Sequence, residues 1–116
     1  MKVQLKQQTL RLRIDEAELE RLLAGDVLDN ATTWPDGRTT HQQLELADGP
    51  GWQRRGDGWR IQLAATDVRS LAERLPSRDG LHAEIPVPGY SPLELQFDVD
   101  VRDSTRRRYP KKATRA

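Results

Sequence analysis

The sequence predicts an α+β fold from three observations. Apolar and polar residues alternate in several short runs, the apolar spacing twice lengthens to the helical period, and one strand-then-helix pattern occurs twice. Arg11-Leu12-Arg13-Ile14 leads into Glu18-Leu19-Glu20-Arg21-Leu22-Leu23, and forty-nine positions later Arg60-Ile61-Gln62-Leu63 leads into Asp67-Val68-Arg69-Ser70-Leu71-Ala72. Leu12, Ile14, Leu19 and Leu22 fall on Ile61, Leu63, Val68 and Leu71, so the apolar phase is shared. The charges are not: Arg13, Glu20 and Arg21 stand against Gln62, Arg69 and Ser70. The expected architecture is a small barrel-like or curved antiparallel sheet, made from two β-α-β-β-type halves with two short helices.

Residues 2–6 and 9–14 alternate strictly, with Val3 and Leu5 on one face and Leu10, Leu12 and Ile14 on one face, which leaves Gln7-Gln8 as the turn of a hairpin. Asp15 stands at a helix cap with Glu18 three residues on, the capping-box spacing. Leu19, Leu22 and Leu23 form the apolar stripe, and Gly25 closes the helix. Val27 to Trp34 returns as a strand, Pro35-Asp36-Gly37 turns, and Thr39 to Ala47 alternates again around Leu44 and Leu46.

Residues 49–58 hold four glycines and a proline and read as a loop or loose hairpin between the halves. Trp59, Ile61 and Leu63 mark the next strand; Val68, Leu71, Ala72 and Leu75 line its helix, which Pro76 ends. Ala64 and Ala65 occupy the cap region there, leaving Thr66 as the only candidate cap. Leu81 to Val87 and Leu93 to Val101 are the final strands, joined through Pro88-Gly89-Tyr90-Ser91-Pro92.

At 116 residues the chain suits one domain, expected over 1–103 with halves at about 1–48 and 57–103. Hydrophobic residues make up 35% and charged residues 32%, a polar balance whose periodic spacing nevertheless rejects general disorder. No apolar run reaches the length of a membrane span, and Met1-Lys2-Val3-Gln4-Leu5-Lys6 alternates where a signal peptide would be continuously apolar. With no cysteine there is no disulfide, no thiolate nucleophile and no Cys-type zinc site, and a cytoplasmic location is the default expectation.

The net charge of +1 hides a division: residues 104–116 carry six positive charges and no negative one, which leaves −5 for residues 1–103. Arg106, Arg107, Arg108, Lys111 and Lys112 could neutralise phosphates of RNA or DNA or meet an acidic protein, or else form a solubilising, disordered terminus. An acidic folded part is the opposite of what a domain wrapped in nucleic acid would show.

No catalytic, cofactor or metal residues emerge. His41 and His82 stand forty-one positions apart, outside any metal-ligand spacing. The glycines of 49–58 lack the Gly-Lys-Ser/Thr ending that cradles phosphate. Glu94, Asp98 and Asp100 share a strand face and could meet a cation, although such acids more often form a solvated face. Trp34, Trp52 and Trp59 lie near Arg54, Arg55 and Arg60, an interleaving that can stack bases and pair with phosphates. Trp59 keeps phase with Ile61 and Leu63 and so belongs to the core, whereas Trp52 sits among glycines as the candidate exposed contact.

Leu10-Arg11-Leu12-Arg13-Ile14, the acidic capped helix and Arg108-Tyr109-Pro110 resemble a family of short bacterial proteins of unknown function that open with a hairpin and carry Tyr-Pro near the C-terminus. That family implies no activity, and its acidic end differs from the arginine-rich end here. Each half also resembles the swapped-hairpin unit of bacterial transition-state regulators and antitoxin DNA-binding domains, through Arg11-Leu12-Arg13-Ile14 with Gly25-Asp26-Val27 and through Arg60-Ile61-Gln62-Leu63-Ala64, though without their proline. This second likeness implies DNA contacts by Lys6, Arg11, Arg13 and Arg60. The expectation is therefore a non-enzymatic binding domain, monomeric or homodimeric, whose partner the sequence leaves open between a protein and a nucleic acid held by the basic tail. The alternative is a DNA- or RNA-binding regulator that uses the strand arginines or the basic tail.

Overall fold

The strands of each half separate onto two different sheets. A computed structural model describes residues 1–77 and 79–101, so the basic tail with Arg106, Arg107, Arg108, Lys111 and Lys112 lies outside the described residues. In chain order the elements are β1 (Lys2–Lys6), β2 (Thr9–Asp15), α1 (Glu16–Leu23), β3 (Leu28–Thr33), β4 (Thr39–Ala47), β5 (Gly51–Arg55), β6 (Gly58–Ala64), α2 (Ala65–Glu73), β7 (Leu81–Val87) and β8 (Tyr90–Asp100). One four-stranded sheet runs β1-β2-β8-β7 and the other β3-β4-β6-β5. The α+β class holds, but the expected barrel-like closure and the single curved antiparallel sheet do not. Each helix carries the chain from one sheet to the other, so every sheet receives one hairpin from each half, and the outer strands are β1 and β7 in the first sheet and β3 and β5 in the second. The hairpins are antiparallel, but they meet at a parallel seam, β2 beside β8 and β4 beside β6.

The order β-β-α-β-β occurs twice, because residues 51–55 form a strand within the segment expected as a loop or loose hairpin. Gly51–Arg55 lies forty-nine positions after Lys2–Lys6, and Gly58–Ala64 forty-nine after Thr9–Asp15. Beyond α2 the correspondence steps to fifty-three: Leu28 faces Leu44 as Leu81 faces Phe97. Four more residues separate the start of α2 from β7 than separate the start of α1 from β3. The parallel seams correspond as well, with Leu12 opposite Phe97 and Ile61 opposite Leu44.

One core serves both sheets. Leu10, Leu12, Ile14, Leu95, Phe97 and Val99 come from the first sheet and Leu28, Leu44, Ile61 and Leu63 from the second; Leu19, Leu22, Val68 and Leu71 come from the helices. Both helices touch strands of both sheets. Their short apolar stripes are sufficient because each helix only has to seal the space between the two sheets.

Local chemistry sets the boundaries. Asp15 Oδ1 accepts from the Glu18 backbone N–H at 2.8 Å and the Asp15 N–H donates to Glu18 Oε1 at 3.0 Å, so the capping box forms as expected. Gly25 follows α1 at φ 101°, a conformation that glycine adopts without strain. The start of α2 has no side-chain cap at Ala64, and Thr66 lies within the first turn rather than before it. Gln7 adopts φ 52° in the two-residue turn between β1 and β2. Strand β8 begins at Tyr90, three residues earlier than expected, so Pro88-Gly89 alone makes the last turn.

Candidate functional site

Alternation fixes which charges face outward. With Leu10, Leu12 and Ile14 buried, Arg11 and Arg13 lie on the outer face of the first sheet. Arg11 Nε donates to Asp98 Oδ2 at 2.7 Å across the β2–β8 seam, while Arg13 is exposed. Arg60 holds the corresponding place on the second sheet: its Nε donates to Gln43 Oε1 at 3.0 Å and its guanidinium lies 3.5 Å from Glu45 Oε1. Position 60 answers to 11 and position 45 to 98, so an arginine–carboxylate pair spans the seam of both sheets. Here the corresponding segments do keep a charge pattern, one visible only across strands.

Around Arg60 the hydrogen bonds form a continuous row. His41 Nδ1 meets Asp29 Oδ1 at 2.9 Å, Gln43 Nε2 donates to the same oxygen at 3.1 Å, and Gln62 Nε2 donates to Glu45 Oε2 at 2.8 Å. His41, singled out as one of two histidines, is thus a member of a sheet-face network. His82 lies on β7 opposite Gln96. Among the described residues no group of three His, Cys, Asp or Glu side chains could hold a metal ion. Asp98, from the candidate acidic face, is the partner of Arg11.

The arginines named from the sequence therefore do not make one surface: Arg11 and Arg13 lie on one sheet and Arg60 on the other. Trp52 and Arg54 do come together. Trp52 retains 38% of its accessible surface, and the Arg54 guanidinium sits 5.1 Å from its ring centroid. Arg55 follows at the exposed end of β5.

Beside Trp52 opens a cavity of about 390 Å³ lined by Gln8, Trp52, Ile85, Pro86, Val87, Pro88 and Leu93. Only Gln8 brings a polar side chain to it. The groove is lined from β5, one outer strand of the second sheet, and from β7, one outer strand of the first, with Leu93 of β8 and Gln8 of the β1–β2 turn. Sequence reasoning named Trp52 but missed its neighbours, because Ile85-Pro86-Val87-Pro88 reads as an ordinary strand and turn. The available signal was Pro86: a proline inside a strand marks a sheet edge, since it has no N–H for a neighbour.

A second, polar depression of about 220 Å³ lies by the α2–β7 connection, where Arg11, Arg13, Asp98 and Asp100 meet Ser77 and Asp79. Cations and carboxylates are mixed there, so it offers no field of one sign. No helix among the described residues is long and apolar enough to cross a membrane. The chain matches no protein-family model, and no curated protein matches it.

Proposed function

We propose that this chain is a binding domain without catalytic machinery, and that its contact surface is the apolar groove between β5 and β7. The observation that carries the reading is the groove itself, an apolar concavity with an exposed tryptophan in a chain that is 32% charged. Tryptophan supplies much contact area for little lost conformational freedom, and it dominates binding energies where it fills a desolvated pocket. Arg54 over its ring limits the orientations of the indole before any partner arrives. The reading includes descent of the two β-β-α-β-β runs from one duplicated unit, supported by the constant register offsets and the two corresponding arginine–carboxylate pairs. Lack of cysteine supports a reducing, cytoplasmic setting.

Amide NMR spectra titrated with a set of peptide-like apolar fragments test the proposal. Shifts confined to Trp52, Ile85, Val87 and Leu93 are expected. The nucleic-acid alternative is tested on the same sample with duplex and single-stranded DNA and RNA at two salt concentrations. Since Arg11 and Arg60 each have a carboxylate partner, little salt-dependent shift is expected at either. A strong salt-dependent response there, with none in the groove, would replace the proposal with the regulator reading.

A further inference from the structure

The geometry points to an acidic, extended protein segment as the occupant of this groove, added as a strand along β5. The inference rests on the groove being the contact surface. Among the described residues strand β5 pairs on one side only, with β6, in an unbroken register from Gly51–Gln62 to Arg55–Gly58. Its other side is a free edge of main-chain donors and acceptors, the template that strand addition uses. The five residues present about 17 Å of such edge. The opposite wall is unsuitable for the same role. Pro86 lacks a donor, and the register of β7 shifts between Ile85 and Val87. β5 therefore supplies main-chain partners, while Ile85, Val87 and Pro88 supply an apolar wall for alternate side chains of the guest.

Charge selects among guests. Arg11, Arg21 and Arg60 each have a carboxylate within 4.0 Å, whereas no ion pair reaches Arg54 or Arg55 among the described residues. Two cations in succession on an open edge leave carboxylates on an incoming strand as their partners. A second copy pairing antiparallel along Gly51–Arg55 would set Arg54 opposite Trp52 and Arg55 opposite Gly51, so neither arginine would gain a carboxylate. The chain's own C-terminal segment is excluded by charge: residues 104–116 carry six positive charges and no negative one, the wrong sign for Arg54 and Arg55. An acidic segment of another protein remains, with apolar side chains at alternate positions.

Selection of displayed random twelve-residue peptides on the full-length protein tests this, followed by affinity measurement of the enriched sequences on wild type, Trp52→Ala and the Arg54→Glu/Arg55→Glu double variant. The enriched peptides are expected to carry Asp or Glu among alternating Val, Ile or aromatic residues and to lack internal proline. Their affinity should fall about tenfold or more in each variant. The arginine variant changes exposed side chains only, so a failure of Trp52→Ala to fold would not spoil the test. Enrichment of basic or proline-rich peptides that still require Trp52 would overturn strand addition and leave the groove standing. If no enriched peptide depends on Trp52, Arg54 or Arg55, the groove itself is not the contact surface and both readings fall.

Discussion

The two helices begin at corresponding positions but with different chemistry, and that difference can be measured. Asp15 caps α1 through reciprocal bonds of 2.8 and 3.0 Å with Glu18, whereas its counterpart Ala64 has no side chain to cap α2. Replacing a good N-cap with alanine costs about 1 kcal/mol, within a range of roughly 0.5–2. For a domain of this size each kcal/mol moves the melting temperature by about 4–8 °C. Asp15→Ala should therefore melt about 4–8 °C below wild type.

Ala64→Asp should move the other way, with Asp67 at the third helical position as Glu18 is in α1. Ala64 is extended at φ −65° and ψ 124°, against φ −94° and ψ 179° at Asp15. The rotation needed consumes part of the gain, so about 0.5–1 kcal/mol is expected. Ala64→Asn separates the hydrogen bond from the charge: an equal gain assigns the effect to the bond, and a gain with Asp alone assigns it to the helix dipole. Thermal unfolding by far-ultraviolet circular dichroism reads all three variants. A full loss in Asp15→Ala with no gain in either Ala64 variant would refute the physical equivalence of the two helix starts.

The core and the seams yield further tests. Phe97 is 1% exposed at the centre of the β2–β8 seam, so Phe97→Ala should cost about 3–5 kcal/mol in urea unfolding, a large part of a total of roughly 5–15. A Cβ on Gly58 would run into the main-chain carbonyl of His41, whereas one on Gly49 meets nothing within 4 Å. Gly58→Ala should therefore abolish or severely weaken folding, while Gly49→Ala stays within about 0.5–1 kcal/mol of wild type. Double-mutant cycles on Arg11/Asp98 and Arg60/Glu45 should give couplings below about 1 kcal/mol for partly exposed pairs. The 2.7 Å pair should exceed the 3.5 Å pair; the reverse order would mean that the neighbouring amides, not the distance, set the coupling.

What the sequence revealed follows the periodicity of its apolar residues. Every buried hydrophobic residue of β2, β6, α1 and α2 lies at a position singled out by spacing, because burial on one face is what that spacing records. Strand β5 escaped because Gly51-Trp52-Gln53-Arg54-Arg55 has one large apolar residue and is exposed over most of its length, so it has no alternation to show. The offset of forty-nine that aligned the helices also carries Lys2–Lys6 onto this segment, and extending it would have found the strand. Sheet membership was hidden for another reason. Alternation tells which face of a strand is buried but not which strand lies beside it, and the parallel seams join residues more than eighty positions apart in one case. The arginine pairs were hidden with the seams, since Arg11 and Asp98 meet only after the strand order is known.

Those seams also bear on where a contact surface can be. Each sheet has an inner face covered by the shared core and an outer face on which one arginine is paired with a carboxylate across the seam, so the centres present polar and partly neutralised surface. What is left lies at the edges. β7 carries a proline and a register shift, and β1 carries Lys2 and Lys6, both recognised means of discouraging strand addition. β3 carries Asp29, Asn30, Thr32 and Thr33, with Asn30 and Thr33 bonded back to β4. β5 alone combines an unbroken register, an exposed tryptophan and an adjoining apolar wall. Its arginines can be read as a fourth blocking device, and then Arg54→Glu/Arg55→Glu would preserve solubility as well as wild type does without affecting peptide binding. If they are recognition residues, the same double variant loses acidic peptides selectively, so a single substitution pair separates protection of an edge from use of it.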